Sequence, residues 1–397
     1  MSKHQVGVTA CAANAVRLAA LLGGFAASFG AYALTDAERI DRLEQQVSQL
    51  SAGTAERSAA DEGLPLHGFM DVDARAANNG GLKGFGLGNV DFYLVPTVGE
   101  RIKGLIELNF EVSDAGELDT DVERMQIGYV FSDAWTVWAG RYHSPWGYWN
   151  TAYHHGAQLQ TSITRPRFLE FEDRGGIIPA HSVGLWGTGA VRAGSGRITY
   201  DLYTGNSQRI DLDAGAPGSG VLDPNLGSST NHNAMAGFNL GYLFSGTSDG
   251  LKLGVHGYTA KIDDDAVPVD STQVRFLGGY GVYLGNDWEI LAEYYRFNNQ
   301  DLSGGSGTHP SWAGYAQIGK LIGRWTPYAR FEKTILDQSD AYFAQQASGQ
   351  SYDRSVAGIR YDLDPRAALK LEANRTRLTD RQLSSFNELR MQFAIRF

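Results

Sequence analysis

The segment Leu389-Arg-Met-Gln-Phe-Ala-Ile-Arg-Phe397 carries two different faces. Leu389, Met391, Phe393, Ile395 and Phe397 fall on one side, and Arg390, Gln392, Ala394 and Arg396 on the other, because side chains alternate along a strand. A soluble domain rarely ends on a strand this apolar. A closed barrel needs one, since its last strand pairs with its first and leaves no edge.

Composition points the same way. A chain of 397 residues could hold two or three soluble domains, but this one carries 49 Gly, 19 Tyr, 18 Phe and 8 Trp with polar and apolar residues mixed throughout. No stretch after residue 33 approaches the ~20 apolar residues of a membrane helix. A barrel hides its hydrophobicity in every second residue, which agrees with a mean hydropathy of -0.28. The net charge of -10 is a poor match for nucleic acid, so no such partner is expected. Cys11 is the single cysteine and lies in a segment expected to be removed, which excludes a disulfide framework, a thiolate metal site and a cysteine nucleophile.

Residues 1–33 read as a secretory signal peptide: Lys3 and Arg17, an apolar run from Leu18 to Phe29, then Ala31-Tyr-Ala33 as the small-x-small cleavage pattern. Residues 34–51 open on a capping box, Thr35-Asp-Ala-Glu38. Ile40, Leu43, Val47 and Leu50 follow as an a/d seam, either a lone amphipathic helix or a short periplasmic coiled coil on the axis of an oligomer. Two heptads are marginal alone and become credible when a larger body holds the copies together. Residues 52–65 are a flexible linker.

From residue 66 to 397 the pattern has period two. The links between apolar-alternating segments fall into two sets that alternate strictly, one never longer than seven residues and one from nine to thirty-eight. That spacing predicts an all-β, 16-stranded antiparallel transmembrane β-barrel with both ends on the short-turn side, preceded by the short coiled-coil helix. Trp135, Trp288 and Trp325 each stand first after a short turn and, with Phe397, form the expected interfacial girdle.

Orientation follows from cost. A charge on the lipid face at mid-depth costs roughly 2–4 kcal/mol, so the many charged strand residues are expected to line a water-filled lumen. The expected lining comprises Arg75, Glu107, Glu111, Arg124, Arg197, Lys252, Arg275, Glu293, Arg330, Glu332, Arg360, Lys370 and Arg390. Over all the charged strand residues assigned to the lumen, eleven are basic and nine acidic, a slight lean that predicts a weak anion preference.

The longest link, residues 143–180, is rich in aromatics and proline and carries a dense charge run: Arg165, Arg167, Glu170, Glu172, Asp173 and Arg174. Such a composition is not that of disorder. His143, His154 and His155 lie close together in it, but no spaced set matches a known zinc motif, so neither a metal nor another cofactor is expected. Ser144 follows His143 and Ser182 follows His181. Adjacent residues of an extended strand point oppositely, so no catalytic dyad is evident and no enzyme is expected.

The apolar strand ending on Phe397 resembles the assembly signal of bacterial outer-membrane barrels. Together with the leader, the helical seam and sixteen strands, the chain resembles the trimeric porins of Gram-negative outer membranes. The N-terminal helix and Gly140-Arg-Tyr-His-Ser-Pro145-Trp-Gly resemble their phosphate-selective branch, from which this chain departs in having few lysines. The resemblance implies that loop 143–180 folds inward as a constriction, its acidic cluster facing wall arginines. It also implies a homotrimer, outer-membrane lipid and lipopolysaccharide as surroundings, the barrel assembly machinery as partner, and passive diffusion of small hydrophilic solutes. Two other readings stay open: a substrate-specific channel for sugars, phosphate or aromatic acids, and a plugged structural or adhesive barrel.

Overall fold

In the computed structural model the described residues are 67–397, apart from 79–82, 113–115, 155, 214–217, 225–231, 267 and 380–384. The expected signal peptide, the helix bearing Ile40, Leu43, Val47 and Leu50, the linker and His155 lie outside them.

Sixteen antiparallel strands form one closed barrel. The first five are β1 (His67–Ala77), β2 (Gly84–Leu94), β3 (Ile102–Val112), β4 (Leu118–Ser132) and β5 (Trp135–His143). After the long loop come β6 (His181–Ala193), β7 (Gly196–Asn206), β8 (Ala234–Leu243), β9 (Leu251–Asp264) and β10 (Ser271–Gly285). The rest are β11 (Trp288–Asp301), β12 (Thr308–Lys320), β13 (Trp325–Ile335), β14 (Tyr352–Asp364), β15 (Ala367–Leu378) and β16 (Phe386–Arg396). The strands run further into the outer links than the alternation suggested, and the link after β7 carries a short ribbon of Arg209–Asp211 against Val221–Asp223.

The barrel closes by pairing β1 with β16, from Phe69 opposite Arg396 to Ala77 opposite Glu388. Phe397 extends the seam: its backbone N–H donates to Gly68 O at 3.0 Å and its O accepts from Gly68 N at 3.0 Å. Its ring packs edge-on against Phe92 at 6.1 Å. A Cβ at position 68 would overlap both the Asp91 carbonyl and the Phe397 ring, so the seam requires glycine there. At the short-turn end, Asn286 and Asp287 both have positive φ (50° and 62°), the twist that matches a two-residue hairpin.

Burial is inverted relative to a soluble fold. On β15, Leu371 is 46% exposed while the next residue, Glu372, is 0% exposed. On β13, Trp325, Phe331 and Ile335 are exposed, and Tyr328, Arg330 and Glu332 between them are buried. The apolar face therefore points out. Trp135, Trp288 and Trp325 all sit on that face near the short turns: Trp135 stacks on Tyr200 at 5.9 Å, Trp325 meets Tyr361 at 4.3 Å, and the Lys320 ammonium lies 4.8 Å over Trp288.

Arg275 corrects the expected lining. It is exposed, and it shares the outward face of β10 with Leu277, while Val274 and Phe276 turn inward. Near the outer end of a strand the outward face is polar, so period two alone does not tell the faces apart.

Leu371→Arg is expected to destabilise the barrel by about 2–4 kcal/mol, because the charge must leave water for lipid. Denaturant unfolding of the micelle-bound protein measures it, with Ala373→Ser as the neutral outward control.

Candidate functional site

Loop 143–180 occupies the barrel. Six of its apolar side chains, Trp146, Trp149, Phe168, Leu169, Ile177 and Ile178, are at most 1% exposed. They pack on aromatics that line one side of the wall: Trp146 on Tyr295 at 5.9 Å, Trp149 on Tyr315 at 5.5 Å, Phe168 on Tyr295 at 5.4 Å. A loop this apolar gains by leaving water, and the inward tyrosines and phenylalanines of β9 to β13 receive it.

Folding a loop into an interior strands its backbone polar groups, which must then find partners. The charged wall residues supply them. Glu293 accepts from the backbone N–H of Tyr148 (3.0 Å) and Trp149 (2.6 Å) and from the hydroxyls of Tyr295 and Tyr315 (both 2.7 Å). Glu372 accepts from the N–H of Ile163 (2.9 Å) and Thr164 (3.2 Å) and from the Thr164 hydroxyl (2.5 Å). Glu332 accepts from Arg167 N at 2.7 Å. Carbonyls are served by cations: Arg330 donates to Thr164 O (2.8 Å) and Arg165 O (3.0 Å), and Arg360 to Gln158 O (2.6 Å) and Gln160 O (3.0 Å). Lys370 donates to the carbonyls of Ala157, Gln160 and Ser162.

This overturns part of the reading from sequence. Glu293, Arg330, Glu332, Arg360 and Lys370 face inward as expected but do not line open water. They lie beneath the loop and carry its backbone. The expectation that these charged strand residues line a water-filled lumen fails here for the same reason, since a buried charge surrounded by hydrogen-bond partners is tolerated. Arg165 serves the loop itself, donating to Leu169 O (2.9 Å) and His154 O (2.8 Å).

The opposite side of the lumen keeps solvent contact. Asp73 and Arg75 of β1, Glu111 of β3 and Arg390 of β16 are half-buried on the inward face, as is the loop residue Glu170. Arg174 reaches Glu111 across the gap. Arg167 lies 6.0 Å over the Tyr352 ring and 5.8 Å over Phe386. Closure of the barrel sets Arg75 directly opposite Arg390. Arg390 also pairs with Glu388 at 2.9 Å. Arg197 and Lys252 face inward nearer the short turns, Lys252 beside the rings of Tyr148 and Tyr280.

On β4 the register slips at Glu123, a β-bulge that turns both Glu123 and Arg124 inward. Arg124 pairs with Glu107, and Glu123 meets His181 Nε2 at 2.6 Å. Glu172, expected to face wall arginines, instead accepts from His181, at 2.7 Å from its backbone N–H and 2.9 Å from Nδ1. Ser144 and Ser182 bond each other through their hydroxyls at 2.7 Å.

A second outer segment, between β13 and β14, seals the loop from above. Tyr342 donates to Ile177 O at 2.7 Å and Phe343 packs on Phe297 at 5.3 Å. Asp340 caps this turn, accepting from Tyr342 N (3.0 Å) and Asn299 Nδ2 (2.8 Å). Burial pushes its carboxyl up to about 6 despite those bonds.

No protein-family model and no curated protein matches the chain. Solved structures do. OmpT, an outer membrane protein of Vibrio cholerae determined in a trimer form, aligns with TM-score 0.55 and 12% identity over 84% of this chain and 98% of that one. The anion-selective porin from Comamonas acidovorans gives TM-score 0.55 and 12% identity, covering 84% and 98%. The outer membrane channel DcaP of Acinetobacter baumannii gives 0.53 and 10%, covering 84% and 96%. The likeness is one of fold: the chain is a barrel of the outer-membrane porin architecture.

Glu293→Leu leaves two backbone N–H groups and two tyrosine hydroxyls without their acceptor. The loop is expected to loosen at a cost of about 3 kcal/mol or more, seen as a red shift of tryptophan emission as Trp146 and Trp149 meet water. Asp340 gives a pH signature. Its carboxyl is raised on folding, so its contribution is full below the ordinary value near 3.8 and is lost as pH rises through about 6. The thermal midpoint is expected to fall over that window, and Asp340→Asn to remove that part of the fall.

Proposed function

We propose that this barrel is a porin, a passive channel for small hydrophilic solutes, with its passage on the side of the lumen that loop 143–180 leaves to water. The loop and the inward faces of β1 to β3 and β16 bound that passage, with Asp73, Arg75, Glu111 and Arg390 on its wall. The observation that carries a weak anion preference is the seam: closure sets Arg75 and Arg390 side by side, and Arg167 and Arg174 approach from the loop. Like charges directly opposite each other on a sheet oppose folding, so their presence is better explained by a solute than by stability. The half-buried acids nearby, Asp73, Glu111 and Glu388, keep the field modest. The likeness in fold to the anion-selective porin from Comamonas acidovorans supports the same reading.

Three copies are the proposed assembly, supported by the trimer form of the Vibrio cholerae structure and by the helical seam at Ile40, Leu43, Val47 and Leu50. Lipopolysaccharide is a proposed neighbour: Arg275, Arg296, Arg375 and Arg377 are exposed on the outward face toward the outer ends of their strands, where its phosphates would lie.

Planar-bilayer recording in a salt gradient tests the channel and its sign together. The wild type is expected to conduct with a small anion-selective reversal potential, and Arg75→Glu with Arg390→Glu to invert it. An absence of conductance would favour a plugged structural barrel, and cation selectivity in the wild type would remove the seam argument.

A further inference from the structure

The hairpin from which the long loop departs pairs His143 directly with His181, one residue at each root of the loop. The loop's first helical turn, Trp149–Ala152, then returns His154 to the same place. One ring nitrogen from each of His143, His154 and His181 lies within 4.8 Å of the others. His154 Nε2 and His181 Nε2 are 2.8 Å apart, and Glu123 Oε2, turned inward by its bulge, lies 2.6 Å from the latter.

The surrounding bonds fix which nitrogen of His154 and of His181 points here, while His143 Nε2 lies 3.3 Å from Glu107 Oε2. Asn150 spends its Nδ2 on Ser144 O (2.8 Å) and Ala180 O (3.1 Å), so its Oδ1 accepts from His154 Nδ1 at 2.8 Å. Glu172 accepts from His181 Nδ1 at 2.9 Å. Both Nδ1 atoms therefore carry their proton, and both Nε2 atoms turn toward a shared point with a carboxylate oxygen. A single proton can bridge one pair of such acceptors. A metal ion can bridge all of them.

We propose that His143, His154, His181 and Glu123 bind one divalent transition-metal ion of the zinc class. Three imidazoles and a carboxylate suit zinc, cobalt, nickel or copper better than magnesium or calcium. Ligand atoms around a tetrahedral ion stand about 3.3 Å apart, so His154 and His181 separate by a few tenths of an ångström on binding. The Asn150 and Glu172 bonds to the far nitrogens are the outer-shell partners that orient metal-bound histidines. His143 keeps a partly exposed side chain (12%) toward the watered side of the lumen, which gives the ion a way in. The ion would tie both roots of the loop and its first turn to β4, fixing the constriction to the wall.

The site is independent of which solute crosses the channel, and its test does not use conductance. Protein refolded from denaturant into detergent, free of lipopolysaccharide and stripped by chelator, is titrated with Zn2+ by calorimetry and with Co2+ by visible absorption. One ion per chain, the d–d bands of tetrahedral Co2+ and an upward shift of the thermal midpoint with Zn2+ are expected. His154→Ala and His181→Ala should each weaken binding at least tenfold, with His309→Ala, at the start of β12, unchanged. Glu123→Gln repeats the test if a histidine variant fails to refold. Sub-stoichiometric binding by the wild type, or equal affinity in the site variants, would overturn the proposal.

Discussion

The structure rests on an exchange between wall and loop: charged side chains of the barrel satisfy the backbone of a segment folded into it. Glu293, Glu332 and Glu372 take N–H groups, and Arg330, Arg360 and Lys370 take carbonyls. Neither partner would be stable without the other. The loop would carry buried peptide groups lacking partners, and the wall would carry buried ions lacking counter-groups. The same residues that keep the outer surface free of charge thus give the interior its rigidity.

Two halves of the lumen follow. Where the inward residues of β9 to β13 are aromatic, the loop packs against them and water leaves. Where β1 to β3 and β16 turn Asp73, Arg75, Glu111 and Arg390 inward, the charged groups stay half-buried and water stays. The division is set by which residue types occupy the inward positions, not by a change in backbone architecture.

How much of this the chain discloses in one dimension depends on what sets each feature. Strand number, closure and the position of Trp135, Trp288 and Trp325 follow from alternation and link length, which are local, and they were legible. The fate of Lys370 or Glu293 was not, because an inward charge looks the same whether water or a peptide meets it. Arg275 misled because above the hydrocarbon both faces of a strand are polar. The histidine cluster was half visible: His143 and His154 are near in sequence, but His181 joins them through hairpin register, which becomes readable once the loop is treated as an excursion from a β5–β6 hairpin. Glu123 depended on a bulge that periodicity does not announce.

The loop leaves the sheet after β5, yet its principal holders lie on β11, β13 and β15. Those bonds join residues 144 to 213 positions apart. Bringing such distant partners together carries a large loop-closure cost that nearer contacts do not help to offset. The segment between His143 and His181 therefore waits for its partners while more than half of the wall is still being laid down. Once Phe397 meets Gly68 no edge remains open at the flank, so a segment not yet seated by then can enter only through the mouth of the cylinder.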